Sequence, residues 1–396
     1  MTSVRCAPSS QGERFRRLVE RYGSPLFVLD AAMLRERYRS LQRHLPGVGL
    51  FYAVKSLAEP AVLRILHSEG AGFDLASAGE VARVQSLGIP PRQCIHTHPI
   101  KSDREIRVAL RYGCTTFVVD NAFEIQKFVR YRHRVGLILR VGFRNPHARV
   151  DLARKFGCDI ADVPELLAHA HRLGLHIKGL SFHVGSQCPT PDAHVSAIDA
   201  AGELLRDAVP PGAAPMSLLD IGGGFPVAYD GDEEDNERLL AEFCAPLRAA
   251  IGALPESIEV IAEPGRCLSA PAVALVVTVI GKAERAGRLW YYLDDGVYGA
   301  FSGQIYDGAE YPLTFFGPAC VDNAVIAGPT CDSIDVVRDG IHIPDLGLGE
   351  VVVARCMGAY TAASATDFNS LERAGWVVQD EEGLAAQSRG GLSLPS

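Results

Sequence analysis

A lysine closes an apolar run near the start of the chain. Val48-Gly49-Leu50-Phe51-Tyr52-Ala53-Val54 reads as a buried strand, and Lys55 stands at its end. An amine placed where a core meets a cavity is partly desolvated. That disfavours the ammonium and frees the lone pair for attack on a carbonyl. The plainer reading is a surface lysine that snorkels out of a strand. Glu263-Pro264-Gly265-Arg266 ends another apolar run. Its carboxylate can bind a protonated ring nitrogen and its guanidinium can fork onto a phosphate. Equally, the two can fix a loop as a salt bridge. Gly222-Gly223-Gly224 follows Leu218–Ile221. Three glycines let backbone N–H groups converge on an anion, or make a tight turn in a crowded fold. The triplet is neither a Walker loop nor a GxGxxG fingerprint, so it implies no nucleotide.

Three further groups could carry chemistry. His183 lies in Phe182-His183-Val184-Gly185-Ser186. An imidazole leaving a strand beside a serine can stack on a planar ligand, or it can be a satisfied core histidine. Cys331 lies in Gly328-Pro329-Thr330-Cys331-Asp332. In a Gly-Pro turn the thiol can be exposed enough to move a proton; the other reading is a buried, inert cysteine. Tyr298, Tyr306 and Asp307 form the third group, and Asp307 with Asp332 could bind a cationic group. Each carboxylate alone reads first as a solvated surface residue.

The elements that must position these residues alternate. Eight apolar runs (Gly49–Val54, Ala71–Ala76, Cys94–His98, Thr115–Val119, Gly136–Val141, Ile177–Val184, Ser217–Ile221 and Ile258–Ala262) are separated by amphipathic, helix-like stretches. Repeated strand–helix alternation predicts a parallel sheet. Eight repeats predict an α/β fold of the TIM type, a (β/α)8 barrel, with a doubly wound sheet as the other arrangement. Active sites of such barrels lie where strands end. Here the ends carry Lys55, Asp74 and Ser77, His98, Asp120, Arg140, His183 and Ser186, the glycine triplet, and Glu263 with Arg266. After Arg266 the pattern changes. Val273–Val279, Trp290–Leu293, Ala324–Ala327 and Val351–Arg355 read as strands of an all-β domain. Pro25–Leu29 is strand-like and joins it. The expected division is a barrel over residues 31–270 and a β domain of 1–30 plus 271–378. The tail, 379–396, is rich in Gly, Ser and Glu and is expected to be disordered.

The 396 residues allow one large and one smaller domain, and 47% apolar residues suffice for a core. The net charge is −8, with no basic run, which speaks against nucleic acid and membrane surfaces. Residues Met1 to Arg14 lack the apolar stretch of a secretory signal, and no apolar run is long enough to span a membrane. Ten scattered cysteines form no CxxC pair and no zinc spacing, so no metal is expected. Most read as small buried hydrophobes in a reducing cytoplasm.

Taken in order, Phe51–Lys55, Gly72–Ser77, Phe182–Ser186, Asp220–Pro226, Glu263–Arg266, Asp295–Tyr298, Gly328–Asp332 and Met357–Tyr360 resemble the fold-type III pyridoxal-phosphate decarboxylases. The likeness runs from about Pro25 to Asn369 and is nearest to the ornithine/lysine branch, with diaminopimelate and biosynthetic arginine decarboxylases as cousins. The resemblance implies pyridoxal 5'-phosphate held by Lys55, with Glu263 on the pyridinium nitrogen and His183 on the ring face. It implies a phosphate held by Ser186, Gly222, Gly223, Gly224, Arg266 and Tyr360, with Asp74 and Arg140 near the ring. Cys331 resembles the residue that returns a proton to the α-carbon. Asp307 and Asp332 resemble the acids that bind a distal ammonium, and Tyr298, Tyr306 and Phe368 fall at pocket positions. The implied reaction is decarboxylation of L-ornithine or L-lysine to the diamine by a cytoplasmic homodimer whose subunits complete each other's sites. Leu57, His98-Pro99 and Ser370 stand where the family often has Asn, Asn-Pro and Gly. They leave room for arginine, diaminopimelate or a modified diamino acid as substrate, or for a non-catalytic regulator.

Overall fold

The computed structural model of the chain describes residues 4–143, 155–380 and 383–387, the last segment by its backbone alone. The chain divides into two compact units. One comprises Arg35–Val227 and Glu233–Cys267; the other comprises the stretch up to Leu34, Ala228–Asp232 and the stretch from Leu268 onward.

The first unit is a closed barrel of eight parallel strands: Gly49–Ala53, Gly72–Leu75, Cys94–His96, Thr116–Val119, Gly136–Val141, Ile177–Phe182, Leu218–Asp220 and Glu259–Ala262. Each of the eight apolar runs supplies one strand. The last strand closes the ring, pairing Ile261 with Gly49 on one side and Val260 with Leu219 on the other. Ile95, Val118, Ile138, Leu218 and Ile261, with Phe51 packed against them, come from six strands and form one apolar layer. Helices return the chain between strands, and several start on side-chain caps. Ser77 accepts from Glu80 N–H, Asn121 accepts from Glu124 N–H, and Ser102 and Glu105 form a reciprocal capping box.

The second unit is mostly strand. Its ten-stranded sheet includes Val4–Ala7, Leu26–Asp30, Val273–Arg285, Arg288–Leu293, Leu313–Phe316, Val321–Ala327, Val336–Ile343, Val351–Ala354 and Gly375–Asp380. Leu26–Asp30 pairs antiparallel with Val273–Arg285, so the N-terminal segment enters this sheet. The expectation of an all-β domain needs correction at helix Ser9–Tyr22. Phe15, Leu18, Val19 and Tyr22 repeat at i, i+3, i+4 and i+7, and that stripe packs on Phe316, Val351 and Val353. Ala228–Asp232, expected in the barrel, belongs to the second unit, where Arg5 donates to Asp230 O at 3.2 Å.

The expected disorder of 379–396 is also corrected in part. Gln379 and Asp380 end the strand Gly375–Asp380, which pairs antiparallel with Gly383–Gln387. Trp376-Val377-Val378 makes the first of these strongly strand-forming, and a further strand satisfies its free edge. Residues 388–396 lie outside the description. Among the described residues no helix is long and apolar enough to cross a membrane. The ten cysteines are free, with Cys6, Cys320 and Cys331 exposed and the others buried.

His96, on the third barrel strand, is fully buried, and neither ring nitrogen has a partner among the described residues. Burial, followed by the nearby Lys101 charge, lowers its pKa from 6.5 to about 4. The unfolded chain therefore binds the proton more readily. The contribution to stability is complete above the unfolded value and is lost as pH falls toward the folded one, at up to about 1.4 kcal/mol per pH unit. Between about pH 7 and pH 5, the melting temperature of the wild type is expected to fall further than that of His96→Phe. Parallel losses in the two proteins would contradict this.

Candidate active site

Lys55 lies in a single 3-10 turn, Val54–Ser56, directly after the first barrel strand. Ser56 Oγ ties that turn down by donating to Ala53 O at 2.9 Å. Lys55 Nζ stands 2.6 Å from Asp74 Oδ2 at the next strand, and the Asp74 carboxylate is wholly buried. Thr97 Oγ1 donates to the other carboxylate oxygen. This corrects the picture of an amine freed by desolvation alone. A buried carboxylate at that distance stabilises the ammonium, so Lys55 must give up a proton before it can attack.

Two acids meet on the far strands. Asp220 ends the seventh strand and Glu263 follows the eighth. Both are buried and each carboxyl perturbs the other, so the pair keeps a proton rather than ionising twice. Burial pushes Asp220 up to about 6, and burial with Asp220 and Asp74 raises Glu263 well above the ordinary carboxylate value. Two adjacent carboxyls cannot both ionise cheaply there. Glu263 is therefore a group that can hold a proton against a ring nitrogen. Asp220 also accepts from Gly222 N–H at 2.9 Å, so one aspartate links the acid pair to the glycine loop.

His183 follows the sixth strand. Its Nδ1 accepts from Gly185 N–H at 3.1 Å, which leaves a neutral ring protonated at Nε2. Burial, Arg140 and Lys55 hold its pKa well below 6.5. A neutral, flat imidazole is suited to lie against a planar ligand. Arg140 projects from the fifth strand with its guanidinium over the Phe156 ring, 5.5 Å from the centroid. Glu263, Asp120, Asp220 and Asp74 offset the burial of its charge.

The glycine loop forms a cradle. Gly222 and Gly224 have φ of +67° and +99°, where side chains are strained. A Cβ on Gly222 would lie 2.2 Å from Phe182 O, and one on Gly223 would lie 2.7 Å from Glu263 O. Gly222 O accepts from Glu263 N–H at 2.7 Å, and Gly224 O accepts from Cys188 N–H at 3.0 Å. Arg266 is buried and its Nη2 donates to Ser186 Oγ at 3.0 Å. The barrel thus brings together Lys55, Asp74, Arg140, His183, Glu263, Ser186, Arg266 and the glycine triplet. An amine, a proton-holding acid, a flat neutral ring and an anion cradle that admits no side chain fit a phosphorylated pyridine aldehyde.

The remaining expected residues lie in the second unit. Tyr298 OH donates to Asp332 Oδ2 at 2.5 Å, and its ring stacks on Phe368 with centroids 4.3 Å apart. That bond raises the Tyr298 pKa to about 12 and lowers that of Asp332. Cys331 N–H donates to Asn369 Oδ1 at 3.2 Å, and Asn369 Nδ2 reaches Cys331 Sγ at 3.4 Å. The turn itself rests on buried Asp335, whose carboxylate accepts from Thr330 N–H, Thr330 Oγ1 and Val297 N–H. Cys331, Asp332, Tyr298 and Phe368 are therefore one group. Asp307 caps the C-terminal end of the short helix Gly303–Tyr306, beside the exposed Tyr306. Tyr360 has left-handed backbone, φ +55°. Asp220, Thr97 and Asn369 were not singled out as site residues from the sequence. Asp220 is legible only as the first residue of the motif Asp220–Pro226, two positions before the glycines, and Thr97 carries no local signal.

Residues 31–270 match the family model for the pyridoxal-binding domain of pyridoxal-dependent decarboxylases. The chain is 37% identical to a lysine/ornithine decarboxylase of Selenomonas ruminantium over 92% of each protein. It is 33% identical to a Xenopus laevis protein named antizyme inhibitor 2, over 88% of this chain and 79% of that one. The crystal structure of a lysine/ornithine decarboxylase from Vibrio vulnificus, in complex with putrescine, superposes with a TM-score of 0.88 at 45% identity, covering 94% of this chain and 99% of that one. The chain belongs to the fold-type III pyridoxal-phosphate-dependent decarboxylases, in their ornithine/lysine branch.

Proposed function

We propose that the chain removes the α-carboxylate of L-ornithine or L-lysine and releases the diamine. The observation that carries this reading is the barrel cluster, in which Lys55 pairs with Asp74 at 2.6 Å under the influence of Glu263. The relatives named as lysine/ornithine decarboxylases, and the putrescine bound to one of them, support the choice of substrate.

Pyridoxal phosphate, when bound, supplies an aldehyde for the substrate amine and a ring that draws charge from the carbon losing carbon dioxide. The residues of this chain do the rest. Lys55, whose Nζ can pass a proton to Asp74, would hold the cofactor through its amine. Glu263, its proton affinity raised by burial and by Asp220, would hold a proton at the ring nitrogen. His183, flat and neutral, would support the ring face. Ser186, Gly222, Gly223, Gly224, Arg266 and Tyr360 would hold the phosphate, and Asp74 and Arg140 would serve the ring. The Cys331 thiol delivers a proton to the α-carbon. Asp332, kept ionised by Tyr298, takes the distal ammonium together with Asp307, and Tyr298, Tyr306 and Phe368 wall the aliphatic stem.

The active form is a homodimer in which Cys331 and Asp332 of one chain serve Lys55 of the other. Support comes from the second unit, where Cys331, Phe368 and Tyr306 are exposed although chemistry needs them enclosed. A side chain that acts only on a bound ligand is free to face outward until a partner covers it.

A carbon dioxide release panel over L-ornithine, L-lysine, L-arginine, meso-diaminopimelate and D-forms tests the substrate. Release from ornithine, lysine or both is expected. Release from none, with cofactor bound, would favour the regulator reading, to which the relative named antizyme inhibitor 2 gives weight. One methylene is worth only about 1–3 kcal/mol, so ornithine and lysine should differ by no more than about two hundredfold. Tyr298→Phe removes the donor to Asp332 and should raise KM about three- to tenfold with kcat little changed. An unchanged KM would remove Asp332 from ammonium binding. For the shared site, inactive Lys55→Ala and Cys331→Ala chains are mixed. Random exchange should restore about a quarter of wild-type activity, because half the dimers are mixed and each has one intact site. No recovery despite proven exchange would contradict sharing.

A further inference from the structure

His194 sits at the start of helix Asp192–Asp207, fully buried. Its ring is enclosed by Phe225, Phe243 and Phe182, with centroids 5.8, 5.4 and 6.4 Å away. Nε2 lies 2.9 Å from the carbonyl oxygen of Gly223, the middle residue of the cradle. Nδ1 is buried and has no partner among the described residues. A carbonyl only accepts, so Nε2 carries the hydrogen and Nδ1 does not. Burial lowers the pKa to about 4, which keeps the ring neutral.

Packing alone would be served by another apolar ring, and a buried, unpartnered Nδ1 costs free energy. What imidazole adds here is one N–H donor, and it is spent on Gly223. Its consequence follows from the planar trans peptide, in which C=O and the next N–H point in opposite directions. With Gly223 O turned toward His194, Gly224 N–H points the other way. The neighbouring peptides obey the same rule, since Gly222 O is held by Glu263 N–H and Gly224 O by Cys188 N–H. The amides of Gly223, Gly224 and Phe225 therefore all face away from these anchors. Among the described residues none of the three has a hydrogen-bond acceptor.

We propose that His194 is a positioning residue for the phosphate cradle: by donating Nε2–H to Gly223 O, it turns the Gly223–Gly224 peptide so that Gly224 N–H meets the cofactor phosphate. This rests on the reading that Gly222–Gly224 hold the phosphate. His194 touches neither cofactor nor substrate; it acts through the peptide. The three anchors differ in kind. Glu263 and Cys188 use backbone amides that almost any residue could supply, whereas the middle anchor is a side chain that a single substitution removes.

The test compares apoprotein affinity for pyridoxal phosphate with affinity for pyridoxal, which lacks the phosphate, by absorbance titration. His194→Phe should weaken pyridoxal phosphate about tenfold and pyridoxal less than twofold. His194→Gln, whose amide can donate along a similar path, should recover most of the loss. Phosphorus NMR of the bound cofactor should show a shifted phosphate signal in His194→Phe and a near-native one in His194→Gln. Equal weakening of both ligands, or of neither, in a folded His194→Phe protein would overturn the proposal. Arg266→Gln separates this failure from that of the cradle reading. If Arg266→Gln discriminates between the ligands and His194→Phe does not, His194 has no positioning role. If neither discriminates, the cradle reading falls and the proposal with it. Should His194→Phe not fold, nitrogen-15 NMR of the wild-type histidines decides: a hydrogen on Nε2 supports the proposal and one on Nδ1 overturns it.

Discussion

Eight parallel strands close into a ring only if the last, Glu259–Ala262, pairs on both of its sides, with Leu218–Asp220 and with Gly49–Ala53. Everything in the barrel cluster depends on that closure. It brings residues far apart in sequence to one rim: Lys55 and Asp74 from the first two strands, Asp220 and Glu263 from the last two. Without closure these would be the two distant edges of an open sheet. Closure also removes the exposed edges that a parallel sheet would otherwise leave, so one constraint serves both stability and chemistry.

The rim concentrates charge in a region that disfavours it. Asp74, Asp220 and Glu263 are buried, with the Arg140 charge favouring ionised Asp220 and the Lys55 charge favouring ionised Glu263. Isolated burial of any one would be costly; the set is tolerable because attraction, hydrogen bonds and one retained proton offset the loss of water. The same arrangement prepares the site. On the proposed reading, an acid that keeps its proton and an amine already aligned on a carboxylate would need little rearrangement to take the cofactor. On the same reading, the backbone around the glycines contributes the complementary part, a set of N–H groups suited to an anion.

Much of this was legible in the residues. Strands buried on both faces read as continuous apolar runs, so all eight barrel strands were visible, as were the polar residues at their ends. Motif order then singles out Lys55, His183, Glu263, Arg266 and Cys331 as candidates. The unread parts share a physical cause: they depend on contacts that no local pattern records. Nothing near Asp220 announces that it and Glu263 will perturb each other, because strand pairing, not spacing, joins them. Lys55 was read as a desolvated amine because Asp74 lies on a different strand. His194 looks like any histidine on a helix, and only its 2.9 Å approach to Gly223 gives it meaning. Helix Ser9–Tyr22 was passed over because its charged residues mask a narrow apolar stripe that needs Phe316 to become visible.

The central claim is that Lys55 is the residue on which the barrel holds pyridoxal phosphate. Loading the protein with the cofactor, reducing it with borohydride and mapping its peptides by mass spectrometry tests that claim directly. The account predicts a phosphopyridoxyl mass on the peptide containing Lys55 and its absence from Lys55→Ala. Modification at another lysine, or none on a protein that binds the cofactor, would contradict it.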